Sequence, residues 1–366
     1  MARLHPRDYR DTSNAGKGSE EMATKMIFTG DVNLMNVADP TVPFALVQEE
    51  FRSTPIVFSN LECCLYAPPG EHSPEREGFF ADPSIAGRAL TSAGIAAVGI
   101  ANNVNYGEAA IMASVACLDQ LGIAHTGAGA DRATARAPAI LERDGIRFGF
   151  LQRSSVYWPT NHEAGDNAPG IAVIRGHTAY QVPNQGSRPP ANRPGVPPQI
   201  VTWADRQYLQ WLAADIAALR ARADVVIGSF HWGLHREVLQ YMTEIAHAAI
   251  DAGADLVVGH GPHYSLPVEI YRGKPIFYGL GSFSFHTGHG GVAHGDWLGM
   301  MARISWGDGG IESAAFQFVR HDARNRTVMR AVADEGAAFD QIAHESAGFG
   351  AVLAARGDQV SIELRS

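Results

Sequence analysis

The sequence predicts an α/β protein built on an open sheet, and three observations carry that expectation. Residues 224–230 and 254–258 are continuous apolar runs rich in β-branched side chains, the pattern of strands buried on both faces. Segments with helical spacing and helix punctuation lie between such runs, so strands and helices alternate along the chain. Strand after strand then ends on a side chain able to bind a ligand: Asp31, Asn60 or Glu62, Asn103, His231, His260 and His263. Open α/β sheets bind ligands beyond the carboxyl ends of their strands, so one cleft lined by all of these residues is the economical arrangement.

Taken in order, residues 1–24 are polar and read as a flexible tail, with residues 25–366 as a single domain. Residues 25–29 form a first strand leading into Gly30-Asp31, and residues 55–58 a second leading into Ser59-Asn60-Leu61-Glu62. Asp82 is placed to cap a helix that Gly94 ends. Residues 95–100 form a strand running into Ala101-Asn102-Asn103, followed by a helix over 107–121 and a short strand at 123–125. Asp144-Gly145 splits residues 139–142 and 147–151 as a hairpin turn would. The segment 180–199 holds six prolines and no periodicity, so it is an insertion, either a surface excursion or a loop that grips substrate. A helix over 203–220 precedes the two His-bearing strands, with a helix over 238–251 between them. Hairpin strands follow at 268–271 and 275–280, then strands at 299–305, 311–319 and 327–332, and a helix over 335–355.

Composition narrows the function. Of 366 residues 46% are hydrophobic and 18% charged, and the net charge of -9 gives no electrostatic grip on nucleic acid. The absence of an 18-residue apolar run or a signal-peptide core leads us to expect a cytoplasmic protein without membrane association. Three cysteines, two of them adjacent at Cys63 and Cys64, make no disulfide framework. Three histidines delivered at neighbouring strand ends point to metal binding or acid/base chemistry.

The ordered series Gly30-Asp31, Asn60-Leu61-Glu62, Ala101-Asn102-Asn103, His231-Trp232-Gly233 and Gly259-His260-Gly261-Pro262-His263 resembles the bacterial CapA family. These are poly-γ-glutamate capsule synthesis proteins within the calcineurin-like metallophosphoesterase superfamily. Residues 255–260 and 273–283 look like two further family blocks, and the likeness covers about residues 26–285. It implies a four-layer αββα sandwich with metal at the strand ends. The chain also departs from the two-metal pattern. Asn33 stands where the first motif has His, and Val104 follows Asn103 where an Asn-His motif has its imidazole. Both losses weaken a two-metal clamp on a phosphoester.

The remaining donors, Asp31, Glu62 and Asn103 with His231 and His260, suit one divalent ion, with Ca, Mg or Mn favoured over Zn and no organic cofactor. Imidazoles beside such an ion suit proton transfer at a carbon next to a carbonyl, with Asp31, His231, His260 and His263 as the catalytic set. Asp31, Asp255 or Asp296 is available to orient an imidazole. A soluble CapA-like chain with an eroded two-metal site is similar to the lasso-peptide epimerases of actinobacteria. That likeness implies a precursor peptide as substrate and inversion of its C-terminal residue. A phosphoesterase, a polyglutamate synthesis role, and a non-catalytic module holding a peptide or anionic polymer are the alternatives. His294 and Asp296 in a Gly-rich loop either supply a second His/Asp pair or decorate a surface loop. Asn102 and Asn103 either ligate or cap the next helix; Cys63 and Cys64 either approach the ion or fill core space.

Overall fold

The computed structural model describes residues 23–69, 80–181, 195, 197–285, 287, 295–307 and 309–364. The expected tail over 1–22, His294, and most of the Pro-rich insertion (182–194 and 196) lie outside them.

Two sheets carry the architecture. In the ten-stranded sheet, Thr24–Asn33 is central, and Ile56–Leu61, Ala97–Gly99 and Ala124–Thr126 follow it in parallel on one side. On its other side Gly299–Gly307 runs antiparallel as far as Thr29, after which Ser282–Phe285 takes over in parallel. The six-stranded sheet has four parallel strands, Ile146–Ser154, Val225–His231, Leu256–His260 and Lys274–Phe277, with antiparallel strands at both edges.

Alternation along the strands builds the layers. Met26, Phe28, Ile56 and Phe58 of the first sheet meet Phe148, Phe150, Val225 and Ile227 of the second in one core. Phe58 lies flat on Phe150 across that gap, with ring centroids 5.2 Å apart. The intervening residues Ile27, Val57 and Val98 face outward and are covered by helices Pro83–Ala93 and Glu108–Leu121. Leu151, Val226 and Val257 on the far side of the second sheet lie under helices Arg206–Arg220 and Gln240–Asp251. The result is the four-layer αββα sandwich that the motif series implies. Among the described residues no helix is long and apolar enough to cross a membrane.

Local signals place most boundaries. Asp82 accepts from the backbone N–H of Ser84 and Ile85, and Gly94 takes the left-handed conformation (φ 87°) that ends the helix. Asp144 and Gly145 both have positive φ, as a two-residue hairpin turn requires. Two expectations are corrected. Trp203 belongs to strand Gln199–Ala204, and the helix starts at Arg206 because Asp205 caps it. The last helix stops at Ala347; Leu353–Arg356 and Gln359–Ile362 pair as a hairpin beyond Gly350. One strand has no counterpart in the sequence reading: Ser282–Phe285, by which the chain leaves the second sheet and joins the first. The crossing requires glycine. A Cβ on Gly30 would lie 2.0 Å from the Gly281 carbonyl oxygen, and Asp31 N–H donates to that oxygen at 2.8 Å. Asp31 is thereby carried to the His260 end of the other sheet.

Candidate metal centre

Strand register sets the donors side by side. Asp31 pairs with Asn60 in one sheet and His231 with His260 in the other, and Glu62 N–H is tied to the Val32 carbonyl at 2.8 Å. Across the gap His260 Nδ1 lies 3.5 Å from Asp31 Oδ1, and His263 Nδ1 lies 3.0 Å from Asp31 Oδ2. His263 Nε2 is 3.6 Å from Glu62 Oε1, so that ring bridges the two carboxylates. Its backbone has φ 62°, a conformation non-glycine residues rarely hold, and the left-handed turn Gly261-Pro262-His263 aims it into the cluster.

Carboxamides knit the floor. Asn60 Nδ2 donates to Asp31 Oδ1 at 2.8 Å, and its Oδ1 accepts from Gln152 Nε2 at 3.0 Å and Asn102 Nδ2 at 3.3 Å. His231 Nε2 meets Asn103 Oδ1 at 2.8 Å. A carboxamide oxygen only accepts, so Nε2 carries the proton and Nδ1 presents its lone pair to the cluster.

The electrostatics leave the two carboxylates sharing one proton or one cation. Burial pushes the Asp31 carboxyl up, but the facing imidazoles of His260 and His263 outweigh it and hold the group well below the ordinary carboxylate range. Burial, followed by the neighbouring Asp31 charge, drives Glu62 well above its ordinary value. Burial also pushes His231 down to about 3, which keeps it a neutral imidazole. Two buried carboxylates in contact need a proton or a cation between them.

The donors fit a divalent ion. One ligand atom each from Asp31, Glu62 and His231 lies within 4.8 Å of the others, the span that trans ligands on bonds of about 2.0–2.6 Å produce. His260 is fully buried, and neither of its ring nitrogens has a hydrogen-bond partner among the described residues. Buried polar atoms are seldom left so, and a ligand at this point satisfies them.

The remaining residues named from sequence divide. Asn102 serves the floor, bonding the Leu61 carbonyl and accepting from Asn105 N–H. Asn103 spends its carboxamide oxygen on His231. Asn33 accepts from Met35 N–H at 2.8 Å, a turn cap, and Val104 is buried with its carbonyl accepting from the Cys64 thiol. Cys63 and Cys64 are core thiols pushed up to about 12 by burial. Two orienting carboxylates are corrected. Asp255 lies at the start of the strand that His260 ends, about 16 Å away at 3.3 Å per residue, and holds Arg220 and Lys274. Asp296 is exposed and paired with Arg320 at 2.9 Å.

Gln152 was hidden in an apolar strand, although Gln152-Arg153-Ser154 at its end is the same polar-terminus signal as elsewhere. The rim was also missed. Trp158 donates its indole N–H to the Asn103 carbonyl at 2.8 Å and meets Tyr106 edge-on. Isolated aromatics in loops carry no periodic signal.

A four-layer sandwich with acidic and imidazole donors gathered at its strand ends defines an α/β protein with a candidate metal centre. Residues 14–287 match the family described as bacterial capsule synthesis protein PGA_cap, and the chain belongs to it. It is similar to a probable polyglutamine synthesis accessory protein of Mycobacterium tuberculosis, 31% identical over 245 residues. That match takes in 65% of this chain and 57% of the relative, so the chain spans less than two thirds of the relative's length. A shorter stretch of 75 residues is 41% identical to the PGA biosynthesis protein CapA of Bacillus subtilis, 20% of either chain. A crystal structure described as a novel phosphatase from Mycoplasma pneumoniae aligns over 83% of this chain and 96% of its own, at 11% identity and a TM-score of 0.49.

Proposed function

We propose that this chain is a divalent-metal-dependent enzyme acting on a glutamyl or other peptide-type chain in capsule-type polymer synthesis. The observation that carries this is the Asp31, Glu62 and His231 cluster beside the buried His260, whose ring nitrogens lack a hydrogen-bond partner among the described residues, in a chain of the capsule synthesis family. With the Asn103 oxygen committed to His231, the donors divide between carboxylate and imidazole, a set that Mn or Zn fits as well as Mg or Ca. When bound, such an ion supplies Lewis-acid stabilisation of charge on a carbonyl oxygen.

The chain's own residues do the rest. His231 and His260 are fully buried and take the ligand role, whereas the His263 side chain keeps 28% of its surface exposed. Asp31 lies 3.0 Å from Nδ1 of His263 and Glu62 3.6 Å from Nε2, so this partly exposed ring is the group that holds or moves a proton between the buried carboxylates and the open side. This separates one accessible base from the three-histidine catalytic set inferred from sequence.

A second reading, epimerisation at Cα of a peptide's C-terminal residue as in a lasso-type precursor, is favoured by that same accessible imidazole and by the loss of two imidazoles at Asn33 and Val104. Both readings are tested together. Metal-loaded protein is incubated in deuterated water with γ-glutamate oligomers and with lasso-type precursor peptides, and Cα deuterium and chain length are followed by mass spectrometry. Metal-dependent change in either substrate that chelator abolishes is expected; no change in either, with metal bound, contradicts the enzyme. Deuterium at Cα selects the second reading, and its absence beside altered chain length selects the first.

A further inference from the structure

Beside the metal centre, His263 borders an open cleft of about 570 Å³, within the usual size of ligand sites. One wall is a face of helix Gly336–Ala347 that presents Ala338 and Ile342. Two groups in this cleft lack a hydrogen-bond partner among the described residues. Arg236 lies over the Tyr264 ring at 4.4 Å and meets no acceptor among the described residues. Trp297 is 5% exposed, and its indole N–H is buried with no hydrogen-bond partner among the described residues. The other charges of the cleft are engaged: Arg320 holds Asp296 and Glu335, and Glu345 accepts from the Gln341 amide.

Resting on the reading of the centre as acting on a peptide-type chain, we infer that this cleft is the channel that binds that chain and that it selects for side-chain carboxylates. Stacking on Tyr264 uses the face of the Arg236 guanidinium and leaves its N–H edge for a carboxylate, in the planar geometry such pairs prefer. The Trp297 indole matches a main-chain carbonyl of the ligand. Ala338 and Ile342 match methylene stems. A lone uncommitted cation beside an apolar wall suits sparse carboxylates on apolar stems. A polyphosphate, whose charges sit on successive phosphorus atoms with no uncharged spacer, would face Asp296 and Glu345 with too few cations.

Calorimetry on metal-loaded protein tests the assignment, with penta-γ-glutamate, an α-linked acidic pentapeptide, penta-glutamine and inorganic polyphosphate as probes. Wild type binds at least one of the acidic peptides in preference to penta-glutamine, and the better of the two identifies the linkage. R236Q weakens that binding by about tenfold or more and R236E further, the range expected for loss of a charge-assisted hydrogen bond. Penta-glutamine binding stays unchanged in both variants. W297F weakens all three peptides by similar factors. Arg236 is exposed, so unchanged melting temperature and metal content confirm folding. Equal binding of the acidic peptides by wild type and R236E, or a wild-type preference for penta-glutamine or polyphosphate, overturns the assignment. If the wild type holds no metal yet still binds the acidic peptides through Arg236, the channel stands and the metal reading alone falls.

Discussion

The strand Leu256–His260 has two unlike ends. At its start Asp255 accepts from Arg220 at 2.6 Å, from Lys274 at 3.0 Å and from Val226 N–H at 2.9 Å. At its finish His260 is fully buried with both ring nitrogens unbonded among the described residues. The neighbouring strand shares only the placement: Asp224 holds Arg147 before it, and His231 faces the two carboxylates at its end with Nε2 bonded to Asn103 and Nδ1 3.4 Å from the Asn60 amide. Nothing in hydrophobic packing distinguishes the two ends, since both cap apolar strands. Completed hydrogen bonding marks the end that holds the sheet together, and incomplete bonding marks the end that receives a ligand.

The largest effect expected from breaking this contrast is at Asp31. Asp31→Ala removes a ligand and the partner of His263, so divalent-ion affinity should fall by at least about a hundredfold, more than losing an outer partner typically costs. Elemental analysis and metal titration read it.

A buried histidine of the closed kind sharpens the comparison. His162 accepts from Trp158 N–H at 3.0 Å and meets the Asn105 carbonyl at 2.9 Å, and burial pushes it down to about 4. Above its ordinary value of 6.5, folded and unfolded forms are both neutral. As pH falls from there to about 4 the unfolded chain takes up the proton first, so stability declines by up to about 3 kcal/mol and then levels. Denaturant titrations between pH 7.5 and 4 should show this slope, and His162→Gln should reduce it, the remainder being carried by groups such as His231, which burial holds down to about 3. An unchanged slope in the variant would assign the acid sensitivity elsewhere.

Asp255→Ala strands Arg220 and Lys274 and should cost about 1–3 kcal/mol in denaturant titration while leaving metal content intact. Loss of metal instead would erase the distinction between the two strand ends. The smallest effect is at the rim. Trp158→Phe deletes one hydrogen bond to the Asn103 carbonyl, about 1 kcal/mol, with metal affinity nearly unchanged. Simple phosphoesters should turn over poorly in the metal-loaded protein, because Val104 offers a leaving group no proton; robust phosphatase activity would contradict that.

Much of this contrast was legible in the sequence. Apolar runs gave the parallel strands, and the polar residue ending each run gave Asp31, Glu62, His231 and His260. Caps such as Asp82 and Gly94 act within a few residues, so they read correctly. Pairing was harder. Asp255 and His260 look alike as polar flanks of one apolar run, and only the distant partners Arg220 and Lys274 tell them apart. Ser282–Phe285 was missed because its partner, the central strand, lies some 250 residues earlier. The start of the hairpin Leu353–Ile362, as far as Ala355, was taken for helix because its first strand is alanine-rich, and tertiary pairing overrode that propensity.

Metal stoichiometry across three proteins tests the central claim most directly. Wild type, Asp31→Ala and Asp255→Ala are stripped with chelator, reloaded with Mn, and titrated by calorimetry alongside elemental analysis. The two-ended strand predicts one ion per chain in wild type and in Asp255→Ala, and none in Asp31→Ala. An empty wild type, or an Asp31→Ala protein that binds as well as wild type, would contradict it.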